Sequence, residues 1–173
     1  KDNSDYIGDH QLVKVWKKYF FIIFFLMWVV VQFIFPTGKS LTVLSYNVQN
    51  LFDDIDNGTE YREFDPGNGK WTAKLFKDKL KSVARVIIES VPNGPDILAL
   101  QEVENRNVLE KLKDDYLTGM GYSYVAIVPK AGLAANVGII SRFPILRVHS
   151  YYVSNYEGNQ LRNILEAEID VDG

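Results

Sequence analysis

Leu44–Asp54, LSYNVQNLFDD, and Asp96–Asn105, DILALQEVEN, are the two stretches on which the fold of this chain turns. Leu41 to Tyr46 is a short apolar run rich in β-formers and reads as a buried strand; Ile97 to Leu100 is a second, ending at Gln101 and Glu102. Between them, Thr72 to Ser90 reads as an amphipathic helix: Phe76, Leu80, Val83 and Ile87 follow the i, i+4, i+7, i+11 pattern, and Lys77, Lys79, Lys81 and Arg85 fall on a solvated face. Strand, helix, strand in this order is a right-handed crossover, which makes the two strands parallel and gathers their C-terminal ends on one edge. Asn47 and Glu102 thereby become neighbours at the edge where α/β sheets place their chemistry. Taken singly, each residue has an ordinary reading, a turn former for Asn47 and a solvated carboxylate for Glu102.

The remaining elements follow from the same signals. Asn47 to Gly69 is expected to be loop, dense in Asp, Asn, Gly and Pro. Its acidic stretch misses the EF-hand spacing, because Ile55 stands where a ligand is needed if the count begins at Asp53, and the sequon Asn57-Gly58-Thr59 reads as a turn. A second helix is predicted over Arg106 to Leu117, N-capped by Asn105, with Val108, Leu109, Leu112 and Tyr116 on its inner face. Strands are predicted over Tyr124–Val128, Val137–Ser141, Ile145–Val153 and Ile164–Val171, so the sheet turns antiparallel after its parallel start. Lys130 to Asn136, KAGLAAN, has the small residues of a mobile surface loop, with Asn136 a structural member of it; Tyr122 and Tyr124 read as core or rim.

Ahead of these elements lies Tyr19–Phe35, YFFIIFFLMWVVVQFIF, with Gln32 as its strongly polar member and Pro36 closing it. At about 1.5 Å per helical residue the run reaches roughly 25 Å, slightly short of a hydrocarbon core of roughly 30 Å. It exceeds the usual hydrophobic length of a signal peptide, and Pro36 to Ser40 offer no A-x-A-like site. The expectation is an uncleaved anchor over 19–36, with secretion after cleavage as the alternative. Lys14, Lys17 and Lys18 precede the span and Lys39 alone follows closely, so residues 1–18 are expected to stay in the cytoplasm and the rest to face outward. Gly38-Lys39-Ser40 is not a P-loop, because the first glycine of that motif would fall at Phe33. A net charge of −3, with 47% hydrophobic and 24% charged residues, describes a globular chain with no global excess of the positive charge that nucleic acid attracts. The absence of cysteine excludes disulfides and thiolate metal sites.

LSYNVQNLFDD, PDILALQEVEN, NVGIISRFPI and LRNILEAEI, in this order and spacing from Leu41 to about Val171, resemble the first half of the endonuclease/exonuclease/phosphatase superfamily. The resemblance implies a four-layer α/β sandwich, a divalent cation, Mg²⁺ or Mn²⁺, and hydrolysis of a phosphoester in nucleic acid, a phospholipid headgroup or an inositol phosphate, by a monomer. It implies Glu102 as the metal-anchoring carboxylate and Asn47 as a catalytic group that contacts the metal or orients Glu102. It implies Arg162 as a catalytic, substrate-binding residue whose guanidinium fork suits phosphate. Gln49 stands where some relatives carry Asp, which puts a second ligand there in doubt, and Arg162 could instead pair with Glu166 and Glu168. The superfamily's water-activating and phosphorane-stabilising histidines, and its GDFN-like segment, have no counterpart here. The histidines are His10 and His149, and neither falls at a family position. Residues 41–173 are therefore expected to be the N-terminal part of such a domain, inactive alone, with a non-catalytic binding module as the alternative.

Overall fold

The computed structural model describes residues 19–28 and 40–171, and the chain divides into two compact units, Lys1–Ser40 and Leu41–Gly173. In the first unit, residues 19–28 form a helix whose ten side chains are all exposed. Among the described residues no helix is long and apolar enough to cross a membrane. The expected cytoplasmic tail, and residues 29–36 of the expected anchor, lie outside the described residues.

The second unit is built on a four-stranded sheet in the order β1-β2-β4-β3, formed by β1 (Val43–Leu51), β2 (Ile97–Val103), β3 (Tyr124–Val128) and β4 (Asn136–Ser141). β1 and β2 are parallel, as the crossover requires, and β4 runs antiparallel to both β2 and β3. Helix α1 (Ala73–Ser90) starts where Thr72 Oγ1 accepts from the Leu75 N–H, and α2 (Arg106–Lys111) where Asn105 Oδ1 accepts from Val108. α2 continues as a π-helical turn, Leu112–Tyr116, where the periodicity predicted an unbroken α-helix. A 3₁₀ turn, Pro66–Asn68, lies in the long connection before α1. β5 (Ile145–Tyr151) and β6 (Ile164–Ile169) form a separate antiparallel pair that touches the main sheet at β3 and β4.

One core lies between the helices and one face of the sheet. Phe76, Leu80, Val83, Ala84 and Ile87 of α1 and Val108, Leu109 and Leu112 of α2 and its extension meet Val48, Leu51, Leu98, Leu100, Val103 and Ile140. The fold is thus mixed α/β with one helical layer; a second helical layer, which the expected four-layer sandwich would have, is not found among the described residues. Two local expectations are corrected. β1 continues through Asn47 to Leu51, where loop was expected, because Leu51 and the following Phe52 are both fully buried and draw the backbone along the sheet. Lys130 to Asn136 is a surface loop only at its tip, where Ala131 and Gly132 are exposed: Ala134 and Ala135 pack on Phe52, Lys130 and Asn136 are buried, and Asn136 opens β4.

The edge opposite Asn47 and Glu102 is fastened by Arg142. It pairs with Asp96 Oδ1 at 2.9 Å and donates to the carbonyls of Met120, Asn93 and Gly94, while Asp96 Oδ2 accepts from the Thr42 N–H. One guanidinium thus joins the start of β2, the end of β4 and the turn before β3. α2 approaches the sheet closely at Gly138, where an added Cβ would stand 2.5 Å from Leu109 Cδ1 and 3.2 Å from the Ala126 carbonyl. Gly138→Ala is therefore expected to destabilise the fold by about 1–3 kcal/mol, read as a lower urea midpoint at unchanged slope.

Candidate functional site

The site is made by two strands that break step at the same level. Along β1, Leu44, Tyr46 and Val48 face the helical core, and along β2, Leu98 and Leu100 do. Strict alternation would next send Asn50 and Glu102 into that apolar core. Instead Gln49, Asn50 and Glu102 take positive φ values of 53°, 62° and 66°, and the register shifts between Asn47 and Leu51 on β1 and between Gln101 and Val103 on β2. Leu51 and Val103 then occupy the core positions and pair with each other. The displaced Glu102 turns toward Asn47. Three non-glycine residues in the left-handed region cost on the order of 1–3 kcal/mol each, and such strain persists where the surroundings over-determine it.

Those surroundings are specific. Glu102 Oε1 accepts from Asn47 Nδ2 at 3.0 Å and from Arg162 Nη2 at 3.1 Å, and Oε2 accepts from the Asn50 N–H at 3.2 Å. Asn47 is itself fixed, its Oδ1 accepting from the Gln49 N–H at 2.9 Å. Arg162 also donates from Nε to the Ala135 carbonyl at 3.2 Å. The side chain of Glu102 is 20% exposed and that of Arg162 38%, so the pair is accessible to solvent. All three residues singled out from the sequence are therefore brought together. The alternative partners of Arg162 are otherwise engaged: Glu166 accepts from the Tyr151 hydroxyl, and Glu168 lies 3.5 Å from Arg147.

The sequence reading missed Lys79. It is half-buried, where Lys77, Lys81 and Arg85 are exposed, and its Nζ donates to the Gln49 carbonyl at 2.8 Å. Burial pushes its ammonium below the usual lysine value, and the charge of Glu102 pulls it back up. A long-range partner of this kind leaves no mark on helical periodicity. His149 lies on exposed β5, its ring 4.4 Å from that of Tyr151, and His10 lies outside the described residues.

Behind the site, two further carboxylates hold the chain that leaves β1. Asp53 is 1% exposed and accepts from the Ile55 N–H, Asn105 Nδ2 and Asn107 Nδ2. Glu104 accepts from the Asp53 N–H at 2.7 Å and from Asn57 Nδ2 at 3.1 Å, and its backbone carbonyl accepts from Asn136 Nδ2. Burial pushes Glu104 up to about 7, against the pull of the Asp53 N–H. Asn57, read only as a turn former, is thus also a ligand of Glu104. A third buried polar group, Lys130, donates to the Val153 and Leu161 carbonyls at 2.8 and 2.6 Å beneath the ring of Tyr152. It fastens the segment that delivers Arg162.

The donor set can be weighed against a divalent cation. A carboxylate has about four lone-pair directions, and Glu102 receives three N–H donors among the described residues, leaving room at Oε2. No group of three or more His, Cys, Asp and Glu side chains able to hold a metal occurs among the described residues. The arrangement fits a hard cation that keeps its waters and needs one protein carboxylate, and it does not fit a closed protein cage.

The model of the endonuclease/exonuclease/phosphatase family matches residues 42–165, well over half of the chain and including Asn47, Glu102 and Arg162. Comparison with curated proteins finds no match. The support behind the site gives a prediction of its own. Asp53→Ala would strip acceptors from the Asn105 and Asn107 amides and the Ile55 N–H. It is expected to lower unfolding free energy by about 1–3 kcal/mol, measured by urea denaturation.

Proposed function

We propose, from the premise that this chain belongs to the endonuclease/exonuclease/phosphatase family, that it supplies the cation- and phosphate-binding part of a metal-dependent phosphoester hydrolase held at a membrane. The family carries a phosphoester-hydrolase-type scaffold. The observation that carries the finer reading is the convergence of Asn47 from β1 and Arg162 from the connection before β6 on the partly exposed carboxylate of Glu102 in β2. In this reading Glu102 anchors Mg²⁺ or Mn²⁺ and Asn47 holds the carboxylate in its rotamer. Arg162 sets its guanidinium beside Oε1, ready to share a phosphate oxygen with the cation. When bound, the cation would neutralise charge on the phosphate under attack. The substrate class is that of phosphoesters, with nucleic acid, phospholipid headgroup and inositol phosphate all meeting the same chemistry.

Among the described residues no histidine contacts Glu102, and a hydrolase needs a positioned group to activate water. The chain as it stands is therefore expected to bind cation without turnover. The alternative is a non-catalytic binding module. Hydrolysis of bis-p-nitrophenyl phosphate by the natural gene product that needs both Mg²⁺ and Glu102 supports the hydrolase, and its absence supports the module.

The membrane part rests on the run Tyr19–Phe35, whose described residues form a helix with exposed Phe20, Phe21, Phe24, Phe25 and Trp28. A helix apolar all round is soluble only when something covers it. The orientation is proposed from the lysines before it, with the domain outside the cytoplasm and the monomer as the working unit.

Three outcomes test this. Glu102→Gln should weaken Mn²⁺ binding at least about tenfold while leaving the unfolding free energy within ~1 kcal/mol, and unchanged Mn²⁺ affinity would remove the site. His149→Ala, outside every contact of Glu102, should leave Mn²⁺ affinity within about twofold. A reporter fused after Gly173 should be active only outside the cytoplasm, with the protein resisting carbonate extraction at full mass; release of a shorter species starting near Lys39 would mean a cleaved signal instead.

A further inference from the structure

The Lys79 ammonium and the Glu102 carboxylate are joined through a single peptide group. Lys79 Nζ donates to the carbonyl oxygen of Gln49 at 2.8 Å, and the N–H on the other end of that same peptide bond, that of Asn50, donates to Glu102 Oε2 at 3.2 Å. The peptide is planar, so its C=O and N–H point in opposite directions and cannot rotate independently. A cation sits at the negative end of its dipole and an anion at the positive end. Each hydrogen bond polarises the amide in the sense that strengthens the other. The residues on either side of this bond, Gln49 and Asn50, are the two left-handed residues of β1.

We infer that Lys79 is a positioning residue for Glu102, acting through the Gln49–Asn50 peptide. α1 is packed on the core by Phe76, Leu80, Val83 and Ile87, so the Lys79 backbone is fixed, and its half-buried side chain holds the ammonium against the Gln49 carbonyl. Gln49 and Asn50 lack the conformational freedom of glycine, and a rotation of their shared peptide toward an ordinary strand conformation would relieve strain. Lys79 opposes that rotation by holding the carbonyl, and the Asn50 N–H therefore stays aimed at Oε2. Asn47 and Arg162 engage Oε1 only. The second oxygen, the one with room for a cation, owes its placement to the Asn50 N–H and, behind it, to Lys79.

The inference rests on the reading of Glu102 as the cation-anchoring carboxylate, and the two are separable by sign and by site. If Lys79 were only a nearby positive charge, removing it would tighten the binding of a divalent cation, because like charges repel. If it positions Glu102, removing it weakens that binding. The experiment compares the full chain in detergent with Lys79→Met, Lys79→Arg and Glu102→Gln, following Mn²⁺ affinity by water-proton relaxation and exchange of the Asn50 amide by NMR. Lys79→Met is expected to weaken Mn²⁺ binding about tenfold and to speed Asn50 exchange by at least about as much, leaving amides within α1 and β2 as slow as before. Lys79→Arg, which keeps a donor and the charge, is expected to retain both properties. Unchanged or tighter Mn²⁺ binding in Lys79→Met, unchanged Asn50 exchange, or a parallel loss of protection throughout α1 and β2 would each overturn the inference. Should the unsubstituted chain bind no Mn²⁺, the functional reading fails, and Asn50 exchange alone then decides whether Lys79 positions Glu102.

Discussion

A strand alternates its side chains with a period of two, and the chemistry of this domain depends on that period being broken twice at one level. Left unbroken, β2 would bury Glu102 among Leu98, Leu100 and the side chains of α1 and α2, where an unpaired carboxylate is very costly. The left-handed turn at Glu102 removes it from the core and gives its place to Val103. β1 makes the matching correction through Gln49 and Asn50, so that Leu51 stays in step with Val103. Neither break would survive alone, since a phase shift in one strand without the other would set an apolar side chain facing solvent. The hydrophobic core on one face and the site on the other are two results of one backbone event.

Holding that event in place takes polar bonds that come from distant parts of the chain. Asp53 and Glu104, buried immediately after each break, bind the first residues of α2, the Asn57 turn and the start of β4. Lys130 does the same for the segment leading to Arg162. Buried carboxylates are weak evidence for stability in themselves, because desolvation offsets much of the attraction. Their contribution here is to fix geometry: each accepts from several donors that belong to different elements, and no one element can shift without leaving a donor unpaired. The same logic explains why the second half of KAGLAAN, with its small residues, is packed. Its alanines leave the space that Phe52 fills.

What the sequence made legible was whatever leaves a periodic or capping signature. Asn105 was read as the cap it forms, Thr72 was read as the first residue of α1 and proves to be its cap, Tyr124–Val128 was read with its observed ends, and the β1–α1–β2 order predicted which side chains would meet. Leu51 and Phe52 were the available signal that β1 runs on, two adjacent apolar residues inside a stretch otherwise made of turn formers, and turn chemistry was allowed to outweigh them. The paired breaks carry no periodic signal, because a positive φ at Gln49 or Glu102 is decided by tertiary packing against each residue's own preference. Lys79 was hidden for a related reason: helical spacing reports which face of α1 is apolar and is silent about what a long polar side chain at the margin of that face can reach.

The charges gathered at the site also constrain what it can bind. Glu102 brings one negative charge, and Arg162 and Lys79 bring two positive ones within its immediate surroundings. A divalent cation added to this set meets one attractive and two repulsive charges, so a second negative partner would strengthen its hold. The balance changes when an anion arrives with it, since a phosphate oxygen can lie between the cation and the Arg162 fork and give both a negative partner. On the proposed reading, the cations around Glu102 therefore make metal and phosphoester mutually dependent ligands, each binding more tightly in the presence of the other by the same factor. On the same reading, a site built from one carboxylate, one carboxamide and two basic side chains would be a phosphate site completed by a metal more than a metal site that happens to bind phosphate. That balance would let a single carboxylate suffice where a dedicated metal cage would need several.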